Sequence, residues 1–343
     1  MADKELVIGQ IGYGYWGPNL ARNLSELEGV RLKYICDSSA DRLSQAAIKH
    51  PQTGLVGDTG TVMADNAIDA VVIASPAVSH FSLCREALAS GKHVLVEKPL
   101  CLDVRQGREL VGLAEERGLV LMVGHVFLYH PAVTFMREYI DSGQAGNVLY
   151  AYSQRLNLGR LRHDENCLWS LAPHDISIML HLMQAEPESV SASGACYLRE
   201  NLEDIIFCTI YFDGGQLGNI HVSWLDPHKV RTFTVVGTEK MLVFDDVVPD
   251  GKIKLFDKRV YREDGVPGYG EEFYLHVGDE VLPAIRTEEP LQAECRHFRD
   301  CVMTGTRPVS DGRQGLRVLE VLDAATRSIS EGGRPVEVGR GAG

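Results

Sequence analysis

The segment Gly12-Tyr13-Gly14-Tyr15-Trp16-Gly17 restricts the fold of this chain more than any other. It follows a continuous apolar run, Leu6 to Ile11, and precedes a stretch with helical spacing that reaches Leu27. Strand, glycine turn and helix in that order make the dinucleotide-binding fingerprint. Gly12 permits the tight turn, Gly14 lets the backbone approach a pyrophosphate, and Gly17 lets helix and strand pack closely. Pro18 suits the first turn of the helix, whose free N–H groups and partial positive charge favour phosphate. Asp37 ends the next strand, about twenty residues on, where a carboxylate accepts ribose hydroxyls and repels a 2′-phosphate. That favours NAD over NADP, although Ser38, Ser39 and Arg42 follow closely and offer groups for a phosphate.

The rest of the first third continues the alternation of strand and helix. Val30 to Cys36, Ala70 to Ala74, His93 to Val96 and Leu119 to Val123 read as strands, with helices at Val78 to Ala89 and Val104 to Arg117. Such alternation implies right-handed crossovers and a parallel sheet. After about residue 125 the pattern changes. A helix from Pro131 to Ser142, a strand from Val148 to Leu156 and a helix near Pro173 to Met183 lead into strands with no helices between them. These are Ser189 to Tyr197, Ile205 to Phe212, Gln216 to Trp224, Val230 to Val236 and Met241 to Phe244, with Asp213-Gly214-Gly215 as a hairpin turn. Two helices close the chain, Pro290 to Thr304 and Gly312 to Glu331. The expected fold class is α/β: a Rossmann domain with a parallel sheet (1–124), then an α+β domain with an open, mostly antiparallel sheet (125–343). The second is expected to carry substrate-binding and oligomer contacts, with the last helices packing back on the body.

Composition narrows the function classes. With 34 Lys and Arg against 47 Asp and Glu, the formal charge is -13, which argues against a broad nucleic-acid surface. A local anion site is still compatible, and Arg155, Arg160 and Arg162 form one candidate cluster, with scattered surface arginines the alternative. No apolar run is long enough to span a bilayer, and the start MADKELVIGQ lacks a signal-peptide layout. Eight scattered cysteines without a CxxC pair read as reduced thiols, so a cytoplasmic protein is expected. No His, Cys and Asp residues stand at metal-ligand spacing, and no metal is expected.

A second motif, Glu97-Lys98-Pro99, lies just past a strand's carboxyl end, the edge that faces the ligand crevice in open α/β sheets. A lysine there can polarise a substrate hydroxyl or carbonyl; taken alone, a strand-end lysine is more often a solvated charge. Together with Ala74-Ser75-Pro76, His80 and Pro173-His174-Asp175, this order resembles the glucose-fructose oxidoreductase / inositol dehydrogenase / MocA-type (Gfo/Idh/MocA) family. The likeness runs nearly end to end, through Val123-Gly124-His125, Ser223-Trp224-Leu225-Asp226-Pro227 and Val236-Gly237-Thr238. The glycine segment most resembles members acting on UDP-N-acetylglucosamine-type sugars at the 3-hydroxyl.

The resemblance implies an oxidoreductase moving hydride between NAD and a secondary alcohol or ketone of a sugar, with a nucleotide-linked sugar expected. Cyclitol dehydrogenase and imine or keto reductase are the alternatives within the enzyme class, and a non-catalytic or redox-sensing NAD-binding protein is the alternative outside it. By position, Gly12, Gly14, Tyr15, Trp16, Gly17, Asp37, Ser38, Ser75, His80, Glu97 and Lys98 would line the cofactor. Lys98 and His174 would be catalytic. Lys98, His125, Arg155, Arg160, Trp169, Ser170 and His174 would meet the substrate, Trp169 being equally a core residue. The family's Asp four residues before the histidine is Ser170 here, which cannot hold a charge and leaves His174 less basic or differently oriented. A homodimer or homotetramer is expected.

Overall fold

Leu6–Ile11 is buried along its whole length and forms β1, the middle of a six-stranded sheet. The computed structural model describes residues 5–159, 161–163, 165–262 and 273–339. They belong to two compact units: Met1–Tyr129 with Glu288–Glu320, and His130–Thr287 with Val321–Gly343.

In the first unit β1 leads through the glycine turn to α1 (Gly17–Glu26), β2 (Val30–Cys36), α2 (Ala40–Lys49), β3 (Gly54–Val56) and α3 (Thr59–Ala64). β4 (Ala70–Ile73), α4 (His80–Ala89), β5 (His93–Glu97), α5 (Val104–Glu116) and β6 (Leu121–Gly124) follow. Every pairing is parallel and the order is β3-β2-β1-β4-β5-β6. The reversal of strand order between β1 and β4 is the switch point at which such sheets bind ligands. Three elements escape the sequence pattern. β3 has three half-buried residues, too few to show a period; α2 buries only Ala46, and α3 is one short turn capped by Asp58.

The second unit opens with α6 (Pro131–Asp141), β7 (Val148–Leu156) and α7 (Cys167–Met183). β8 (Pro187–Ala195), β9 (Ile205–Phe212), β10 (Leu217–Ser223), β11 (Val230–Gly237), β12 (Met241–Asp245), β13 (Ile253–Arg262) and β14 (Phe273–Val281) follow. Next come α8 (Pro290–Thr304), which belongs to the first unit, α9 (Gly312–Ser330), divided between the units, and β15 (Val336–Glu337) in the second. The nine-stranded sheet runs β14-β13-β12-β11-β7-β10-β9-β8-β15. All its pairings are antiparallel except β7 with β10, which are parallel.

α7 starts six residues before the helix expected from Pro173. Asn166 caps it by accepting the Trp169 N–H at 3.2 Å, and Pro173 sits buried inside the helix. Its apolar face covers β7, β9 and β10, with Met179 against Gly218. On β9, Ile206, Cys208 and Ile210 point into this core while Phe207 and Tyr211 are exposed. The two alternations, both apolar in sequence, thus divide into a core face and an outer face.

Candidate active site

The sheet of the first unit places most of the expected cofactor residues along one edge, beyond the carboxyl ends of its strands. The glycine turn leaves β1, Asp37 follows β2, Ser75 follows β4, Glu97 and Lys98 lie at the end of β5, and His125 follows β6.

The glycine turn separates what packing needs from what a ligand needs. Gly12 has φ +98°, and a Cβ there would stand 2.4 Å from the Ala74 carbonyl oxygen, so only glycine fits. Gly14 has neither constraint: a Cβ would meet nothing nearer than the Arg42 guanidinium, at 3.6 Å. The open ground above Gly14, beside the start of α1, fits a pyrophosphate brought against backbone. α1 has no side-chain cap of its own. Tyr15 is exposed and Trp16 half-buried.

Asp37 is buried, and its carboxylate accepts the Tyr13 N–H at 2.7 Å and the Ser39 N–H at 2.9 Å. It thereby pins the glycine turn to the end of β2. Arg42 reaches the same carboxylate at 3.5 Å, and Ser38 is exposed next to it. These residues fit an adenosine ribose, the carboxylate being present where ribose hydroxyls would bond.

His80 is buried with Nδ1 2.7 Å from the Pro99 carbonyl and Nε2 3.0 Å from the Ser75 carbonyl. Both ring nitrogens face backbone carbonyls, the neutral ring donating its one N–H to one of them, and the ring braces the ends of β4 and β5. Ser75 Oγ lies 2.7 Å from Ser79 Oγ. The Lys98–Pro99 peptide is cis. Lys98 N–H donates to Glu97 Oε2 at 3.3 Å. Glu97 is half-buried as a residue, but its carboxyl end packs against the Gly124 backbone. Burial of that end raises its pKa, against the lowering effect of the Lys98 charge.

His125 is fully buried, and neither ring nitrogen has a hydrogen-bond partner among the described residues. Burial, then the Lys98 charge, lowers its pKa to about 3, so it is a neutral imidazole at ordinary pH.

The remaining candidates lie in the second unit. Ser170 and His174 stand one helical turn apart on the half-buried face of α7. The next residue, Asp175, is buried and takes both ends of the Arg155 guanidinium. The arginines expected to form an anion-binding cluster are differently engaged among the described residues. Arg155 is buried in this ion pair, Arg162 is exposed with Glu165 at 3.5 Å, and Arg160 lies outside the described residues. Trp169 is half-buried, with its indole N–H donated to Thr326 Oγ1 at 3.1 Å. Among the described residues no three His, Cys, Asp or Glu side chains gather as a metal site, and no helix is long and apolar enough to cross a membrane.

One residue escaped the reading of the sequence. Glu294 on α8 is fully buried, with neither carboxyl oxygen hydrogen-bonded among the described residues. The signal was present in its position: it shares a helical stripe with Leu291, Cys295, Phe298 and Cys301, all buried.

Residues 6–125 match the description "Oxidoreductase family, NAD-binding Rossmann fold", and residues 133–243 match the GFO/IDH/MocA C-terminal domain. The chain is 27% identical to the scyllo-inositol 2-dehydrogenase (NAD(+)) of Bacillus subtilis (strain 168), over 97% of its own length and 95% of the relative's. It is also 27% identical to the UDP-N-acetylglucosamine 3-dehydrogenase of Acidithiobacillus ferrooxidans, over 91% of this chain and 93% of that one. The solved structure of that enzyme, GnnA, superposes with a TM-score of 0.79 at 24% identity, covering 95% of this chain and 98% of the other. GenD2 from gentamicin A biosynthesis, solved in complex with NAD, gives 0.81 at 24% identity, over 98% of this chain and 97% of the other. Both superpositions speak to the fold.

Proposed function

Since the chain belongs to the Gfo/Idh/MocA oxidoreductase family and carries its NAD-binding Rossmann fold, we propose that it oxidises a secondary ring alcohol of a sugar, or reduces the matching ketone. The observation that carries this reading is the placement of Lys98 at the end of β5, on the strand edge that also holds the glycine turn and Asp37. When bound there, NAD supplies the hydride acceptor. Gly14 and the start of α1 hold the pyrophosphate, Asp37 the adenosine ribose, and Ser75 and Glu97 flank the nicotinamide end. Lys98 steadies the developing alkoxide oxygen. His174 takes the hydroxyl proton. Ser170 stands one helical turn before His174, where the family carries an acidic residue.

A nucleotide-linked sugar, oxidised at its 3-hydroxyl, is the first substrate class, supported by the relative that acts on UDP-N-acetylglucosamine. A cyclitol is the second reading, and the Arg155–Asp175 pair favours it: an arginine already committed to a buried carboxylate is not offered to a nucleotide phosphate. Incubation with NAD and a panel of UDP-sugars and inositols, followed through NADH formation, tests the assignment. Turnover of a UDP-sugar supports the first class, and turnover of inositols alone supports the second. If no alcohol of either class yields NADH with protein that binds NAD, the proposal is refuted.

A further inference from the structure

Glu294 is a fully buried carboxyl with no hydrogen-bond partner for either oxygen among the described residues. An ionised carboxylate is not stable in such a place, and it becomes neutral by keeping its proton. The neighbouring acid that most affects it is Glu97. The two acids are unequally supported. Glu97 receives the Lys98 N–H and a bond from the Trp16 side chain, and it lies beside the Lys98 charge. Glu294 receives none of these. A single negative charge on the two therefore belongs to Glu97, and the proton stays with Glu294.

The other groups around Glu294 do not change this assignment. Tyr129, on the turn Val126–Tyr129 that packs on α8, has its hydroxyl 2.8 Å from Ser310 Oγ. Its pKa is raised by burial and then by Glu294. Cys295, next on the helix, is a buried thiol with its pKa raised. His125 at the end of β6 is neutral. Arg22 on α1, which also packs on α8, is held by Glu289 at 2.6 Å.

We propose that Glu294 is a positioning residue of the oxidoreductase edge: a neutral carboxylic acid that confines the charge of the Glu97–Glu294 pair to one negative unit, on Glu97, beside Lys98. It acts through Glu97 and touches neither substrate nor cofactor. The proposal rests on the assignment of the β5 edge to the nicotinamide end of NAD, made above. Its ligand consequence follows from charge: oxidised NAD carries a positive nicotinamide ring and NADH a neutral one. Once Glu294 ionises at alkaline pH, the second negative charge favours the oxidised cofactor.

The test uses the full chain with 13C at the glutamate side-chain carboxyls, wild type and Glu294→Gln, titrated by NMR. In the wild type the Glu294 carboxyl is expected to remain protonated at pH 7, where Glu97 is partly ionised, and to ionise only at higher pH; its resonance is absent from Glu294→Gln. Thermal unfolding gives a second readout. A pKa raised in the folded state means that folded protein holds a proton that unfolded chain releases. Wild-type stability should therefore fall more steeply than that of Glu294→Gln as pH rises from about 5 to about 7. The ratio of affinities for oxidised and reduced cofactor should level off in Glu294→Gln once Glu97, raised to about 7, has ionised, and should keep rising at higher pH in the wild type. A wild-type spectrum with every glutamate ionised at pH 7 overturns the proposal, and this holds even if the variant does not fold. A protonated Glu294 together with identical cofactor ratios in the two proteins overturns the positioning role. Absence of turnover on every sugar with the NMR result as expected leaves the proton assignment standing and counts against the proposed function alone.

Discussion

Arg155 and Asp175 are joined by two hydrogen bonds, Nε to Oδ2 at 2.6 Å and Nη2 to Oδ1 at 3.2 Å, buried between β7 and α7. Asp175 directly follows His174, so this pair fixes the helix turn that presents the histidine. Removing the arginine strands a buried carboxylate. Arg155→Ala is expected to cost about 3–5 kcal/mol of stability, and a paired apolar replacement such as Arg155→Met with Asp175→Leu much less. Urea unfolding of the three proteins measures it. Equal losses for the single and double variants would show that the ion pair itself, not the unpaired charge, matters.

The glycine turn predicts a split between stability and binding. Gly12→Ala puts a Cβ into the Ala74 backbone at positive φ, and about 1–3 kcal/mol of destabilisation is expected from the strained backbone alone. Gly14→Ala meets only the end of a flexible arginine. It should unfold within about 0.5 kcal/mol of wild type and yet bind NAD more weakly. Calorimetry on both variants checks this, and full NAD affinity in Gly14→Ala would remove the pyrophosphate from that turn.

Asp37 favours NAD over NADP by at least about tenfold in Kd, or about 1.4 kcal/mol, because its carboxylate stands where a 2′-phosphate would lie. Fluorescence titration of both cofactors decides. Equal or tighter NADP binding would instead assign Ser38, Ser39 and Arg42 to a phosphate site.

The outer face of the nine-stranded sheet exposes Tyr150, Tyr152, Phe207, Tyr211, Leu217, Leu275 and Val277. Tyr150 stacks on Tyr152, and Phe207 on His221 at 4.2 Å. An apolar face of this kind is expected to be covered by another copy of the chain. Light scattering should give the mass of a dimer or tetramer, and Phe207→Asp with Leu275→Asp should lower it. A wild-type monomer at micromolar concentration would contradict the expectation.

What could be read from the sequence was what local pattern records. The run Leu6 to Ile11, the glycine turn and Asp37 announce themselves because each obeys a spacing rule within one strand–turn–helix unit. The β13–β14 hairpin went unread because it lies at the sheet edge, where charged residues such as Asp257, Lys258 and Arg262 interrupt the alternation. The sequence pattern points to Pro173 for the start of α7, because a proline is a strong signal there, while the actual cap, Asn166, is a weak one. Arg155 looked like an anion ligand because its partner is on another element, and no local pattern pairs β7 with α7. Glu294 resembles any surface glutamate until its helical stripe is compared with its burial.

The central claim is that Lys98 and His174 carry hydride-transfer chemistry on a sugar alcohol. Its most direct measurement is the initial rate of NADH formation for wild type, Lys98→Ala and His174→Ala with whichever UDP-sugar or inositol the wild type turns over. Each variant should lose about 10²–10⁴-fold in kcat, as positioned acid–base groups do, and His174→Ala should keep NAD affinity near that of wild type. A His174→Ala enzyme with near-full kcat would contradict the account and leave the histidine a structural residue of α7.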